Sequence, residues 1–398
     1  MSTRVDVTLL PTLQAYGAFD INACFNCGNC TAICPLSTED STFPRRLIRY
    51  AQVGMRDELL ASKEIWSCYA CSECSVTCPR QAEPSGFMAA TRRYAIANYD
   101  RTHLARTIYL HPFLGTILAL ALAAFFALFM YVSHGPQDSS TLAIFDFIPA
   151  AIIHDIGVVV MILVFVAGLA GIATMARRIA KREGVSWRSL VAGRAAVRRT
   201  VSAAWDAVAV ESLGQRRYRQ DCATAEDPVA WYRSRWFLHA AAMWGFLGLL
   251  GATILDYGLD ILGIKETGTP VPVWYPVRLL GTLAGLLLVY GVTMIIIDRA
   301  RRADRSMTSS TNADWTLLAL LWVTGVTGFA LELALYLPEP PAWGYWMFLF
   351  HVAVAMELVL LAPFMKLAHA VYRPVALFFV ALARTPVVAD PGSGADGS

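Results

Sequence analysis

The residues best equipped for chemistry are eight cysteines in two runs. Residues 24–35 read CFNCGNCTAICP and residues 68–79 read CYACSECSVTCP. Both follow C-x2-C-x2-C-x3-C-P, a spacing in which three thiolates hold one [4Fe–4S] cube and the fourth reaches the other. Cys24, Cys27, Cys30 and Cys78 are therefore expected to hold one cluster, and Cys68, Cys71, Cys74 and Cys34 the second. Cluster iron prefers soft sulfur to oxygen donors, and the close spacing lets one turn of chain wrap a cube. Pro35 and Pro79 end each loop by removing a donor and fixing φ. Two other uses of cysteine fit less well. Structural zinc sites pair C-x2-C units across a longer gap, and disulfides belong to oxidising compartments, whereas the charge pattern described below places this segment in the cytoplasm. The ninth cysteine, Cys222, stands alone in a polar segment and reads as a free thiol.

Histidine supplies the second set. Titratable side chains inside a bilayer are costly and mark functional sites by default. His239 and His369 fall near the same end of two apolar runs, and two imidazoles at matched depth can hold one haem iron from both faces. They are the expected inner haem b pair, with His111 a rival at that level. His154 and His351 form a possible outer pair. Residues 351 and 369 lie about five helical turns apart, about 27 Å along one helix axis, so a single helix is expected to offer a ligand to each of two stacked haems. His103 and His134 fall outside the apolar runs. Glu332 and Glu357 lie within them and suggest a proton path or quinone site, or else carboxyls kept neutral by burial. Arg278 suits a haem propionate or an interfacial position.

The elements that must position these groups follow from composition. The chain is 56% hydrophobic and only 16% charged, with net charge +3, too apolar for an ordinary soluble protein. The reading is all-α: a small cytoplasmic two-[4Fe–4S] helical domain over residues 1–104, then six transmembrane helices. Residues 43–60 and 86–99 carry helical apolar spacing beside the cysteine runs. The six runs are placed at 107–132, 146–174, 236–262, 277–297, 314–337 and 343–371. They divide the remainder into a first helix pair over 105–175, a basic loop over 176–235, a four-helix region over 236–373 and a tail over 374–398, of which 390–398 reads as disordered. Residues 1–23 carry no basic stretch followed by an apolar run, so no secretory leader is expected.

Charge sets the orientation. The 176–235 loop contains thirteen Lys and Arg, and residues 298–312 add Arg299, Arg301, Arg302 and Arg305, whereas the opposite loops hold only Lys265. Cytoplasmic loops carry the excess of positive charge, which puts both termini in the cytoplasm and the protein in the cytoplasmic (inner) membrane. Trp236, Trp274, Tyr275, Trp343, Tyr345 and Trp346 sit near span ends, as interfacial anchors do. In the basic loop, Trp187, Leu190, Val191, Val197, Val201, Trp205 and Val208 recur at helical spacing among arginines. That describes an amphipathic helix lying on anionic lipid, or a surface docking the cluster domain or a partner. Membrane topology accounts for the positive charge, so nucleic-acid binding is not expected.

Residues 20–100 resemble the C subunit of heterodisulfide reductase, a carrier of two [4Fe–4S] clusters on a ferredoxin-like helical domain. The resemblance covers both cysteine runs, the linker STFPRRLIRYAQVGMRDELLASKEIWSC and the stretch ACSECSVTCPRQAEPSGFMAATRRYAI. Residues 236–373 resemble the membrane cytochrome b of the nitrate reductase gamma type, through His239 followed by WGFLGLLG and through HVAVAMELVLLAPFMKLAHAVYRP. That family binds two b haems with two histidines on each of two helices. Here the sixth run keeps His351 and His369, the third keeps only His239, and His154 is put in place of the fourth.

No G-x-G-x-x-G after a strand, Walker A run or triad pattern is present, so no catalytic residue is assigned. The expected function is a membrane electron-transfer subunit linking quinone (menaquinone), haem b and two [4Fe–4S] clusters to a cytoplasmic flavoprotein or disulfide-reductase-like partner. A stand-alone quinone-linked reductase and a membrane-anchored iron–sulfur sensor are the other classes open to this sequence.

Overall fold

A computed structural model describes residues 4–384 except 40, 139, 222–229, 266–270, 304–306 and 308. Cys222, Arg305 and the 390–398 tail lie outside the described residues. In chain order the helices are α1 (Leu9–Ala15), α2 (Asn29–Ile33), α3 (Arg45–Gln52), α4 (Arg56–Leu60), α5 (Glu64–Ser67), α6 (Glu73–Val76), α7 (Pro84–Tyr99), α8 (Leu104–Leu110), α9 (Pro112–Val132), α10 (Ile144–Phe147), α11 (Ala150–Arg182), α12 (Gly193–Trp205), α13 (Arg216–Asp221), α14 (Arg235–Ile261), α15 (Pro276–Ala300), α16 (Asn312–Tyr336), α17 (Trp343–Leu361) and α18 (His369–Arg384). Among the described residues there is no strand beyond an isolated bridge between Thr38 and Ser41. The chain divides into two compact units. The first comprises Met1–Arg106, Ala167–Ala223 and Leu367–Ser398; the second comprises Thr107–Val166 and Thr224–Lys366.

The first unit is built on short helices that bury one face each. Leu9 and Leu13 of α1, Leu47 and Ile48 of α3, Leu59 and Leu60 of α4, Trp66 of α5 and Phe87 and Tyr99 of α7 are all essentially fully buried. Each such side chain contributes about 1.5–3 kcal/mol of transfer free energy. The helical run expected over 43–60 is two helices. Gly54 separates them at φ +74°, and a Cβ there would stand 2.5 Å from the Asp6 carbonyl oxygen. Gly54→Ala is expected to destabilise the protein by about 1–3 kcal/mol, from left-handed strain and the backbone clash together. Chemical denaturation should show it, and an unchanged midpoint would remove Gly54 as the hinge.

The C-terminal part of α11 is tied into this unit by charge. Arg178 pairs with Asp57 at 3.2 Å, Arg182 donates to the Glu58 carbonyl and stacks on the Tyr50 ring at 5.3 Å, and Lys63 pairs with Glu183. Some of the positive charge in the 176–235 segment therefore has carboxylate partners.

The amphipathic pattern in that segment forms α12, continued by a wider π-helical stretch over Asp206–Leu213. Its apolar residues do not point inward. Val197, Val201, Trp205 and Val208 are exposed, whereas Ala203 and Ala207 are buried, Ala203 beside Ala381 and Leu382 of α18. The close approach of two helices selects alanine for the inner face.

The second unit is a helical bundle. Ser234 caps α14 by accepting from the Phe237 N–H at 3.2 Å. Thr311 and Asp314 close a capping box on α16, and Lys366 pairs with Asp314 at 3.0 Å. Helices α14 and α15 meet backbone to backbone. A Cβ on Gly245 would lie 2.4 Å from the Leu288 nitrogen, and one on Gly291 would lie 2.7 Å from the Ala242 nitrogen. Small residues allow such approach in apolar helix pairs. Outward-facing Phe113, Leu120, Phe125 and Leu128 of α9 are exposed.

Among the described residues, seven helices are long and apolar enough to cross a membrane, as in a multi-pass membrane protein: Pro112–Val132, Ala150–Arg182, Arg235–Ile261, Pro276–Ala300, Asn312–Tyr336, Trp343–Phe364 and Lys366–Arg384. The expected run over 343–371 is corrected in its extent. Residues 343–371 do not form one helix: α17 ends at Leu361, Met365 is extended (φ −112°, ψ −172°), and α18 begins at His369. Pro363 is the cause, since it has no N–H to donate and its ring crowds the carbonyl four residues back. His351 and His369 therefore lie on different helices, and the 27 Å single-helix spacing does not hold.

Candidate functional site

The two cysteine runs fold alike. Cys24 and Cys68 are both extended. Asn26 and Gly28 have φ of +68° and +93°, and the equivalent Ala70 and Ser72 have +57° and +71°. Each loop then enters a single-turn helix, α2 or α6, carrying the third cysteine. Left-handed residues at two matched positions turn the chain around a centre. Glycine does this without cost; at Ser72 the hydroxyl is held against the Ser85 hydroxyl at 3.1 Å. The Ala70 and Ala82 N–H groups donate to the Cys68 and Cys78 sulfurs at 3.4 Å.

Electrostatics report which thiols face each other. Burial pushes the Cys30 thiol up, and nearby Cys24, Cys27 and, more weakly, Cys78 add to it. Burial pushes Cys34 up to about 12, with Cys68 and Cys71 adding and the Leu36 N–H opposing. Cys74 is raised by burial, then by Cys68, Cys71 and Cys34. Cys34 thus lies near Cys68 and Cys71 as well as Cys30, and Cys78 lies near Cys30. Cys34, Cys68, Cys71 and Cys74 line one cavity of about 30 Å³ with Phe43, Tyr69 and Met88. Four half-buried sulfurs lining one cavity, with an amide aimed at the Cys68 sulfur, fit a cube; a cluster supplies the positive iron that stabilises thiolates there. At the first centre Cys27 is exposed. Among the described residues no three His, Cys, Asp or Glu side chains are arranged to hold a single metal ion.

Two guanidinium groups close the second centre. Arg92 donates to the carbonyls of Ile65 and Cys68. Arg373 of α18 donates to Trp66 at 2.8 Å and to Cys68 at 3.2 Å, and lies over the Tyr69 ring at 4.8 Å. Neither arginine belongs to a cysteine motif, so ligand spacing singles out neither, although both fall within the stretches that carry the resemblances.

The histidines are dispersed over helices. His154 lies on α11, His239 on α14, His351 on α17, and His369 opens α18; His239 belongs to the second unit and His369 to the first. The His351 Nδ1 lies 2.8 Å from Thr327 Oγ1, whose own hydrogen is donated to the Val323 carbonyl at 2.7 Å. With Nδ1 as the donor in that pair, Nε2 would be the nitrogen left with a lone pair, as a metal-ligating imidazole requires. A Cβ on Gly328 would stand 3.3 Å from the ring. His154 packs edge-on against Tyr257 at 4.6 Å. His111 precedes α9 and is exposed, and His134 stacks on Phe147 at 5.0 Å. Glu357 is buried. Arg278 approaches Glu332 at 3.6 Å and donates to the Tyr336 hydroxyl, while Thr282 donates to Glu332 at 2.7 Å.

Fold and site together define a membrane-associated iron–sulfur protein with a role in electron transfer. A 4Fe-4S dicluster domain matches residues 20–82, and the citrate utilization protein B family matches residues 114–390. That second match spans more than half of the chain, and the chain belongs to the citrate utilization protein B family. It includes the first two apolar helices, which carry no resemblance legible in their residues alone. Over 63 residues the chain is 32% identical to the C subunit of the H(2):CoB-CoM heterodisulfide,ferredoxin reductase of Methanothermobacter thermautotrophicus, covering 16% of this chain and 34% of that one. The iron–sulfur C subunit of the CoB--CoM heterodisulfide reductase of Methanopyrus kandleri is 34% identical over 56 residues, 14% of this chain and 29% of that one. Citrate utilization protein B of Escherichia coli is 27% identical over 157 residues, 39% of each chain. The chain thus spans between 29% and 39% of the length of these curated relatives. No solved structure matches.

Proposed function

We propose that this chain carries electrons between the quinone pool (menaquinone) and a cytoplasmic catalytic partner, through haem b in the apolar bundle and two [4Fe–4S] clusters in the N-terminal domain. The observation that carries the proposal is that Cys34 of the first run lines one cavity with Cys68, Cys71 and Cys74 of the second; this supports assigning those four to one cluster and Cys24, Cys27, Cys30 and Cys78 to the other. Bound there, the clusters supply one-electron carriers; the chain's task is to hold them at fixed separation and set their surroundings. The exposed Cys27 marks the side from which a partner is served. That partner is a flavoprotein or a disulfide-reductase-like protein, and the family's name, citrate utilization, favours one acting on a tricarboxylic acid.

The haem reading rests on His351, whose Nδ1 is anchored on Thr327. His154, His239 and His369 are the other imidazoles offered to haem iron, with the bundle resembling the nitrate reductase gamma-type cytochrome b. The Lys and Arg distribution supports the inner membrane with both termini in the cytoplasm. Helix α18 then belongs to the cytoplasmic cluster domain, which its packing against Trp66 and Tyr99 through Tyr372 favours.

The test is haem b per purified chain, read before and after a menaquinol analogue. Haem reduced by quinol is the expected result, and absence of haem would remove the quinone half of the proposal. His351→Ala should abolish one b-type signal while the iron–sulfur content stays at the wild-type value; an unaltered haem spectrum would exclude His351 as a ligand.

A further inference from the structure

The second cluster centre is walled by two cations that no cysteine motif contains, and one of them is delivered from the far end of the chain. Arg373 sits on α18, yet its guanidinium donates to the backbone carbonyl of Cys68 and to that of the preceding turn at Trp66. Arg92 donates to the same Cys68 carbonyl from α7. Both guanidinium groups are spent on carbonyls, which cancel no charge. Among the described residues no carboxylate pairs with either, and the nearby buried Glu211 is engaged by Arg216 at 2.9 Å and Arg217 at 3.3 Å. The Tyr69 ring covers the outer face of Arg373 and is itself stacked on Tyr218 at 6.0 Å, so solvent screening there is reduced.

We propose that Arg373 is a potential-setting residue of the second [4Fe–4S] centre. This rests on the proposed function. Reduction adds one negative charge to a cluster, and a fixed cation beside the ligand shell stabilises that form, raising the reduction potential. The placement is specific to this centre. At the first one Arg45, which approaches Gly28, comes from the N-terminal domain itself. Arg373 by contrast stands four residues after His369, on the same face of α18. Docking of α18 and the potential of the second cluster are thereby one event: a chain in which α18 is displaced would carry a second cluster that is harder to reduce.

The experiment is a potentiometric titration of the full-length protein with both clusters, followed by EPR, comparing wild type with Arg373→Gln, Arg373→Met and Arg373→Lys. Iron and acid-labile sulfide are measured on the same samples. Arg373→Gln is expected to lower one cluster's reduced-to-oxidised ratio about tenfold at a fixed potential, about 59 mV for one electron, and to leave the other cluster unmoved. Arg373→Lys, which keeps the charge, should retain most of the wild-type potential. Unchanged titrations in Arg373→Gln with full iron would overturn the proposal, as would equal shifts of both clusters. Loss of iron in both neutral variants would make Arg373 a residue of cluster assembly and overturn it too. A wild-type protein without two cluster signals would instead refute the functional reading on which the proposal rests.

Discussion

Replacing Cys34 by alanine is expected to dismantle the cluster served by the second cysteine run and to spare the one built on the run that contains it. Iron and acid-labile sulfide should each fall from about eight to about four per chain, the content of one cube. The physical ground is that Cys34 leaves α2 extended and faces Cys68, Cys71 and Cys74 across their common cavity. Its loss would leave three sulfurs and an uncovered iron at that centre. Double replacements read the pairing directly, because effects fail to add when two residues serve one unit. Cys34→Ala with Cys74→Ala should cost no more than either alone. Cys34→Ala with Cys30→Ala should remove both clusters. If that second pair cost only one cluster, each run would hold its own cube and the crossed arrangement would be wrong.

The second large effect is expected where α14 and α15 touch. Gly245→Ala should destabilise the bundle by about 1–3 kcal/mol, the range for overpacking a filled contact. A Cβ at that position would meet the Leu288 nitrogen at 2.4 Å and the Ala284 oxygen at 2.7 Å. Those are backbone atoms, so relief requires the helices to separate, and every contact along their interface weakens with them. Gly251, on the same helix, has nothing within 4 Å of the equivalent point. Gly251→Ala should be neutral or stabilising by up to about 1 kcal/mol, since alanine is the better helix former. Thermal unfolding of the two variants in the same detergent decides it. Equal behaviour would mean that the close approach contributes nothing.

Much of the architecture is legible in local pattern. Each of the first five apolar runs has one long helix as its body, α9, α11, α14, α15 or α16, because crossing length and apolar content are properties of one stretch of chain. The last run breaks at a signal that hydropathy conceals: Pro363 stands in APFMKLA, but apolar residues on both sides keep the stretch looking continuous. The valine and tryptophan stripe of α12 shows a different limit. Periodicity identifies a helix and its apolar face, but the partner selects the buried side, and here alanine packs against α18. Gly28 announces a left-handed turn; Ala70 and Ser72, which adopt the same conformation, do not.

By itself the sequence determined the ligand chemistry, since thiol type and short spacing are covalent facts, and it determined that long apolar helices follow a polar cluster domain. Only the tertiary structure decided that the apolar run breaks after Leu361, that the segment from Leu367 returns to the unit holding the cysteines, and that Arg92 and Arg373 converge on the Cys68 carbonyl. The first set depends on residues near one another in the chain. The second depends on groups up to about three hundred positions apart, whose meeting is set by which buried faces fill one another, and no local pattern records that choice.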